Sequence, residues 1–268
     1  RLSPEEASRT VHTLCAHQEV IEDGGVFNRA MVGLSLCNGF MPHRFEAETR
    51  GGSAWATFND DKAFKEVIIT QFKCKGSKWV TPSAIRGALA IYGGNRTPAN
   101  FRPSITKAIV DKLCVNNGTV WDPCAGFGGR LLGVLCSHRQ PKYIGTEPSP
   151  QTVAGLRALA SEVCSVQHWN PERCKILQGV AELDCPEPNS CDLVLTSPPY
   201  FRAEKYVGGA QSYLTYKTYE QWATGFLTPM VTNSFSSLKE GGYMAINIQD
   251  VMIRGRMRPL VRDLDRIA

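Results

Sequence analysis

The spacing of the hydrophobic positions changes near residue 97. Upstream of this point it is helical: Phe64, Val67, Ile68 and Phe72 fall on one face, which predicts a helix over residues 60–72. Downstream the apolar runs become short, β-branched or aromatic, and they alternate with amphipathic stretches. The change of period predicts two parts with different architectures.

The N-terminal part also carries helix-start and helix-stop residues. Ser3 as an N-cap, Pro4 in the first turn and Glu6 at the third helical position predict a helix that runs to about Glu22. The turn-rich segment 93–98 interrupts the helical pattern. We therefore predict two domains: a mostly helical N-terminal region, residues 1–96, and a second domain, residues 97–268.

The second domain reads as alternating strands and helices. The predicted strands are 119–121, 143–146, 175–177, 192–196 and 243–248. The predicted helices are 104–113, 129–136, 152–163 and 219–238, the last one kinked by Pro229. This alternation predicts an α/β fold with a parallel sheet and helices on both of its faces. Ligands of such sheets bind beyond the carboxyl ends of the strands.

Composition and charge narrow the function classes. Of the 268 residues, 43% are hydrophobic, which suffices for a core, and no run is long enough to span a membrane. No secretory signal is recognisable, and the ten cysteines contain no CxxC pair. We therefore expect an intracellular protein in a reducing compartment (cytoplasm or nucleus, depending on the source) and no metal site. The sequence does not predict an oligomeric state.

The positive charge is unevenly distributed. From Lys62 to Lys107 there are nine Lys or Arg against one acid, Glu66. A basic segment of this kind suits a phosphate backbone and makes the N-terminal region a candidate for nucleic-acid contact, although an ordinary solvated face has the same composition.

Two acids follow the first two predicted strands of the second domain. Asp122 precedes a glycine-rich turn that ends at Arg130, and Glu147 lies 21 residues after Gly126. A carboxylate in front of the turn suits an amino or hydroxyl donor better than a pyrophosphate, which it would repel. An acid at the position of Glu147 is typical of a ribose contact. The third strand leads to 179–181, where small residues can border an adenine ring.

The fourth strand of the second domain runs into Ser197, Pro198, Pro199 and Tyr200. The two prolines remove backbone donors and leave carbonyl oxygens, Ser197 adds a hydroxyl acceptor, and Tyr200 adds a flat face. An exocyclic amine of a base is a poor nucleophile because its lone pair is delocalised into the ring. Two acceptors that hold its N–H bonds would favour a pyramidal nitrogen, so the turn predicts chemistry on such an amine.

Residues 201–217 are predicted to form a loop after this turn. Aromatic residues alternate there with Arg202, Lys205 and Lys217, which is typical of single-strand or base binding, and a polar lid over any substrate is the alternative. The predicted substrate-binding residues are Phe201, Tyr206 and Tyr213.

The order of these motifs resembles that of the S-adenosylmethionine-dependent DNA amino-methyltransferases. Residues 122–130, DPCAGFGGR, resemble their motif I, 147–148 motif II, 179–181 motif III, 197–200, SPPY, motif IV, and 100–103 motif X. The likeness covers residues 97–268, in the order X-I-II-III-IV. It implies a Rossmann-like methyltransferase sheet, S-adenosylmethionine as the cofactor, and DNA as the partner, with RNA not excluded.

The resemblance also implies roles for individual residues. The catalytic turn is Ser197, Pro198, Pro199 and Tyr200. The expected cofactor-binding residues are Phe101, Pro103, Asp122, Cys124, Ala125, Gly126, Phe127, Gly128, Glu147, Pro148, Val180, Ala181 and Ser197. Nitrogen attacks the methyl group directly, so no cysteine nucleophile is expected.

Several alternatives stay open. SPPY is most associated with cytosine N4, with adenine N6 as the second choice, and an RNA base amine, a protein glutamine amide or a degenerate binding subunit are rivals. Two features depart from the family pattern. Val180 stands where an acid is common, and the chain stops at Ala268, before the two further strands that the family's sheet carries.

Overall fold

A computed structural model describes residues 1–18, 21–22, 25–26, 30–49, 52–76, 81–93, 97–253 and 255–268. The chain divides into two compact units. The sheet unit comprises Arg1–Met41, Asn100–Phe201 and Gly208–Ala268, and the helical unit comprises Pro42–Ala99 and Arg202–Val207.

The chain passes through the helical unit twice, at Pro42–Ala99 and at Arg202–Val207, and otherwise belongs to the sheet unit. In chain order the elements are α1 (Pro4–Ala16), β1 (Ile21–Glu22), β2 (Gly25–Val26), α2 (Leu34–Phe40), β3 (Glu48–Thr49), α3 (Ala54–Phe58), α4 (Asp61–Lys75), α5 (Pro82–Tyr92), α6 (Pro103–Leu113), β4 (Thr119–Asp122), α7 (Gly129–Leu135), β5 (Lys142–Glu147), α8 (Pro150–Gln167), β6 (Cys174–Gln178), β7 (Cys191–Thr196), β8 (Glu204–Lys205), α9 (Ser212–Thr215), α10 (Tyr219–Trp222), α11 (Thr228–Ser237), β9 (Leu238–Ile246), β10 (Val251–Ile253), β11 (Arg256–Arg258) and α12 (Leu260–Ile267). Short 3-10 turns cover Pro42–Phe45 and Pro171–Arg173.

A parallel sheet of five strands, in the order β6-β5-β4-β7-β9, forms the centre of the sheet unit. Val120 of β4 lies opposite Tyr143 of β5 on one side and opposite Leu193 of β7 on the other. Helix α6 precedes β4, α7 connects β4 to β5, α8 lies between β5 and β6, and α11 precedes β9, as the alternating pattern predicts. The α/β fold with a parallel sheet is confirmed.

The first helix begins as predicted and ends earlier. Ser3 and Glu6 form a reciprocal capping box, which satisfies backbone donors of the first turn. The helix stops at Ala16, so the predicted extension to Glu22 is wrong, and Ile21–Glu22 instead pairs with Gly25–Val26.

The first 41 residues belong to the sheet unit, which differs from the single boundary predicted at residue 96. The physical reason is the shared core: Val11 and Leu14 of α1 and Leu36 of α2 belong to the same buried cluster as Leu156 and Leu159 of α8. The periodicity of α1 predicts an apolar face but does not say which core that face joins.

The helix predicted over 219–238 is divided into two. The capping box of Thr218 and Gln221 starts α10 as expected, and a π-helical turn, Ala223–Leu227, separates α10 from α11. Pro229, in the first turn of α11, has no N–H to continue the regular ladder. The Thr228 N–H and hydroxyl both donate to the Ala223 carbonyl, the hydroxyl at 2.9 Å. Trp222, Leu227 and Met230 form a second buried cluster beneath these helices.

The helical unit has its own small core, formed by Ala54, Val67, Ala88 and Leu89. The predicted helix over 60–72 is confirmed as α4, capped by the Asp60 carboxylate, but Phe72, predicted on the same face as Val67, is exposed on the other side of the helix. The predicted break at 93–98 follows α5, although residues 94–96 lie outside the described part of the chain. No helix among the described residues combines the length and apolar character needed to cross a bilayer.

Candidate active site

The predicted chemistry gathers at the carboxyl ends of three adjacent strands. The order of the sheet reverses at β4: β5 and β6 lie to one side, and β7 and β9 lie to the other. Open α/β sheets bind ligands in the crevice at such a switch point. Asp122, Glu147 and Thr196 end β4, β5 and β7, so the sheet places the residues that follow all three strands at this edge.

Asp122 is fully enclosed, and both of its oxygens have partners. Oδ1 accepts from the Thr196 hydroxyl at 2.9 Å and from the Cys124 N–H at 3.3 Å. Oδ2 accepts from Arg130 Nε at 2.7 Å and from the Tyr143 hydroxyl at 3.1 Å. The sequence predicts that Asp122 contacts the cofactor, whereas in the structure its carboxylate binds the turn and orients the Arg130 side chain.

Burial sets the protonation of the groups around this carboxylate. Burial raises the pKa of Tyr143 well above its usual value, and Asp122 raises it further, so the phenol stays protonated and donates. Burial is the largest single influence on the pKa of Arg130 and lowers it, but the charge and the hydrogen bond of Asp122, together with Tyr143 and Cys124, raise the net pKa. Burial and Asp122 also raise the pKa of the Cys124 thiol, which therefore stays protonated near neutral pH.

Three glycines shape the turn between β4 and α7 for different reasons. Gly126 and Gly128 have φ values of +56° and +82°, which favour glycine. A Cβ on Gly128 would lie 2.7 Å from Leu159, and one on Gly129 would collide with the Phe101 carbonyl. A Cβ on Gly126 would make only ordinary van der Waals contacts, the nearest at 3.7 Å, so Gly126 is the least crowded of the three while the other two are packed against the protein.

The segment before α6 clamps this turn. Asn100 Nδ2 donates to the Phe127 carbonyl at 2.9 Å, and its Oδ1 accepts from the Gly129 N–H at 3.2 Å. The Phe101 ring lies 5.6 Å from the guanidinium carbon of Arg130. Pro103 is buried in the first turn of α6, where α6 packs on α7. Residues 100–103, which resemble motif X, and the glycine turn are therefore held together by direct contacts.

Glu147 lies beside Gly126. Its Oε2 accepts from the Gly126 N–H at 3.0 Å, and its Oε1 accepts from the Ser149 N–H at 2.9 Å. Burial raises the pKa of Glu147 to about 7, although these two hydrogen bonds act in the opposite direction. Gly209, in the loop after β7, lies against this segment, since a Cβ there would be 2.7 Å from the Pro148 carbonyl.

The turn after β6 is held by an acid that the sequence interpretation missed. Asp184 Oδ2 accepts from the Val180 N–H at 2.8 Å, and the Gly179 N–H donates to the Glu147 carbonyl at 3.1 Å. Ala181 is buried in the second cluster, and its carbonyl accepts from Asn233 at 3.3 Å. Cys124 and Tyr200 pack against the same cluster. The cluster therefore contacts the glycine turn after β4, the turn after β6 and the Ser197–Tyr200 turn.

The Ser197–Tyr200 turn is held by Asn247, which follows β9. Asn247 Nδ2 donates to Ser197 Oγ and to the Tyr200 hydroxyl, both at 3.2 Å. The Asn247 N–H donates to the Thr196 carbonyl at 2.9 Å. No group in the described part of the chain donates to the carbonyl of Pro198, a buried residue. Pro199 is half-buried.

The three predicted substrate-binding aromatics do not form one set. Phe201 is 4% exposed, and its ring lies edge-on to Tyr219 at 5.8 Å, so the ring belongs to the core and offers no face to a base. Tyr213 is half-buried against the second cluster. Tyr206 belongs to the helical unit, where its hydroxyl donates to Glu204.

The strand order and the site define a Rossmann-like α/β fold with its candidate site at the first switch point. No family model matches the chain. The Type II methyltransferase M.BglI of Bacillus subtilis is 39% identical over 70 residues, which are 26% of this chain and 18% of that protein. The chain therefore matches less than a fifth of the length of this relative.

Solved structures that match part of this chain do so with low sequence identity and low TM-scores. A protein described as an S-adenosylmethionine-dependent methyltransferase from Methanococcus maripaludis is 17% identical, with a TM-score of 0.37 and 54% of each chain covered. A TehB-like S-adenosylmethionine-dependent methyltransferase from Corynebacterium glutamicum is 14% identical, with a TM-score of 0.35; the match covers 69% of this chain and 80% of that one.

Proposed function

We propose that the chain is an S-adenosylmethionine-dependent methyltransferase that methylates an exocyclic amino nitrogen of a DNA base, with cytosine N4 as the first choice. One observation carries the proposal. The Thr196 hydroxyl donates to Asp122 and accepts from the Cys124 N–H at 3.2 Å, so the start of the Ser197–Tyr200 turn is tied to the glycine turn. The M.BglI match supports DNA as the substrate. Adenine N6 and an RNA base amine are the alternatives.

The residues at the glycine turn fit the proposed cofactor. Gly126 is the least crowded glycine of the turn, and Glu147 lies beside it, able to accept from ribose hydroxyls. The Arg130 guanidinium also lies near Gly126, with Nη2 3.9 Å from the position that a Gly126 Cβ would occupy. Arg130 Nε and Nη2 donate to Asp122 and to the Cys124 carbonyl, whereas Nη1 has no acceptor among the described residues. Nη1 is therefore available to a carboxylate, such as that of the methionine part of the cofactor.

This assignment changes the role of the acid in motif I. A carboxylate that is 0% exposed cannot contact a ligand directly. Asp122 acts through Arg130, whose charge it compensates and whose side chain it orients. Phe127, Ala125 and Cys124 then contribute the backbone of the turn, and Val180 and Ala181 border the pocket on the side of β6.

Bound S-adenosylmethionine supplies a methyl group on a sulfonium, which a nitrogen nucleophile can attack. The protein must make the base nitrogen nucleophilic. Ser197 Oγ and the Pro198 carbonyl each accept a hydrogen bond from one N–H group of the amine, which favours a pyramidal nitrogen. Tyr200 stacks on the ring of the base. Asn247 donates to Ser197 Oγ and so orients its remaining lone pair. The base must be flipped out of a duplex or be single-stranded to reach this turn.

Nucleoside analysis tests the proposal. DNA and RNA are incubated with the protein and cofactor labelled in the methyl group, digested, and separated by mass spectrometry. Labelled N4-methylcytosine from DNA is the expected product. N6-methyladenine would retain the mechanism and move the base preference. Label at cytosine C5, or none in any nucleoside while the protein binds the cofactor, would contradict it.

A further inference from the structure

The helical unit carries the whole net charge of the chain. Its sequence contains eleven Lys or Arg and six Asp or Glu, a net +5, which equals the formal charge of the full protein. The sheet unit, with nineteen of each, is neutral. A charge concentrated in one compact unit attracts a polyanion to that unit.

The charge and the exposed apolar surface meet on one face of α4. Val67 and Gln71 are buried, and helical geometry places the opposite side toward solvent. We name that side the outward face of α4; it consists of Lys62, Lys65, Ile69, Phe72 and Lys73, all of them exposed. Phe72 is 52% exposed and Ile69 is 41% exposed, and because they lie three residues apart on α4 they expose apolar surface side by side.

The lysines of this face are available to a ligand. Within the same unit Lys205 pairs with Glu48 at 2.8 Å, whereas Lys62, Lys65 and Lys73 form no ion pair with the acids that the structure describes. Asp61 and Glu66 border the face, and the three lysines leave it net positive.

A second aromatic surface lies in the same unit. Trp55 and Phe58 of α3 stack at 5.8 Å with an interplanar angle of 24°, and Trp55 is 51% exposed. Exposed rings beside these lysines fit a single strand of nucleic acid, because its bases can stack on the aromatic faces and its phosphates attract the lysine cations.

We propose that the outward face of α4 binds a single-stranded or locally unpaired nucleic-acid segment, with Phe72 stacking on a base and the lysines contacting phosphates. The Trp55–Phe58 pair offers a further stacking position. The inference rests on the proposed function, which explains why the protein would bind a nucleic-acid strand. The binding itself requires neither cofactor nor methyl transfer.

Fluorescence anisotropy with a labelled single-stranded oligonucleotide tests the surface, using the whole chain without cofactor over a range of salt concentrations. Lys65→Glu with Lys73→Glu should weaken binding and flatten the log–log salt slope by about 0.7 for each phosphate that the variant no longer neutralises. The matched control, Lys142→Glu with Lys175→Glu, changes the same charge on β5 and β6 and should have a much smaller effect.

A second pair of variants separates stacking from charge. Phe72→Ala should reduce affinity about fivefold or more, because it removes one base–ring stack, while Phe235→Ala, a ring of α11 that is also exposed, should leave it unchanged. Circular dichroism of every variant checks that it is folded.

Two results would overturn this inference. One is binding by the lysine and Phe72 variants equal to that of their controls. The other is a concentration-dependent dimer that Phe72→Ala abolishes without changing oligonucleotide affinity, which would make the face a contact between copies. Failure of the proposed function is a separate result: the chain would bind the oligonucleotide through this face and yet transfer no methyl group.

Discussion

The ionisation of Glu147 should control cofactor affinity near neutral pH. Its carboxylate is buried beside Gly126, and burial raises its pKa to about 7. Ribose hydroxyls donate best to the charged form, so only the deprotonated protein should bind S-adenosylmethionine tightly. With a pKa of about 7, roughly a tenth of the protein is competent at pH 6 and roughly nine tenths at pH 8, which predicts an affinity about tenfold higher at pH 8.

The same shift has an opposite effect on stability. The folded carboxyl has a pKa above its ordinary value of 4.5, so the folded state holds the proton more tightly than the unfolded state. This contribution to stability is complete below pH 4.5 and is lost as the pH rises toward 7, on the order of 3 kcal/mol in all. Wild-type protein without cofactor should therefore become less stable over the pH range in which its cofactor affinity rises.

Isothermal titration calorimetry at several pH values, with Glu147→Gln as the comparison, measures the effect. Glutamine keeps the shape but loses one acceptor for the Gly126 or Ser149 N–H, so the informative quantity is the slope with pH and not the absolute affinity. The titration of the cofactor's own amino group is common to both proteins. Equal slopes in wild type and variant would refute the assignment of Glu147 to the ribose.

Three further predictions concern the contacts around the site. Asp122→Ala leaves the buried Arg130 charge without its partner, and Arg130→Met does the same to the buried Asp122 carboxylate, so each should cost about 3–5 kcal/mol in urea unfolding. Arg130→Met should also weaken the binding of S-adenosylmethionine more than that of methylthioadenosine, which lacks the amino-acid part; an equal loss for both ligands would show that Arg130 does not bind the cofactor carboxylate. Tyr200→Ala should lower methyl transfer severely with little change in cofactor affinity, and Tyr200→Phe, which keeps the ring, should be far more active; similar rates for the two would argue against stacking. Asn247→Ala should lower kcat more than it raises KM, because it disorders Ser197 during transfer, and a pure KM effect would assign Asn247 to substrate binding instead.

Local patterns predicted four of the five strands well because each is short and bounded, whereas β9 (Leu238–Ile246) begins five residues before the predicted 243–248 and ends two residues earlier. The apolar run that ends in Thr196 and the one that ends in Trp121 are closed by proline or glycine, so their bounds fall within a residue or two of β7 and β4. The order of motifs then placed the carboxyl ends of adjacent strands at one edge. The position of the site could therefore be predicted, because the residues at the end of a strand can be recognised from the local sequence.

The partners of the site residues could not be read in the same way. Asn247 lies 50 residues after Ser197, and its contact with the turn exists only because β9 pairs with β7. An acid in front of a glycine turn looks like a ligand contact in sequence, and only the packing shows that Asp122 is enclosed by Arg130. The ring of Phe201 likewise reads as a substrate contact until the second cluster forms around it.

Single-turnover methyl transfer by Ser197→Ala and wild type, with cofactor labelled in the methyl group and nucleosides identified by mass spectrometry, tests the central claim most directly. We expect labelled N4-methylcytosine from DNA with wild type, and with Ser197→Ala a strongly reduced rate whose loss exceeds any loss of substrate affinity. A labelled product on a carbon atom of the base, or full activity of Ser197→Ala, would contradict the account.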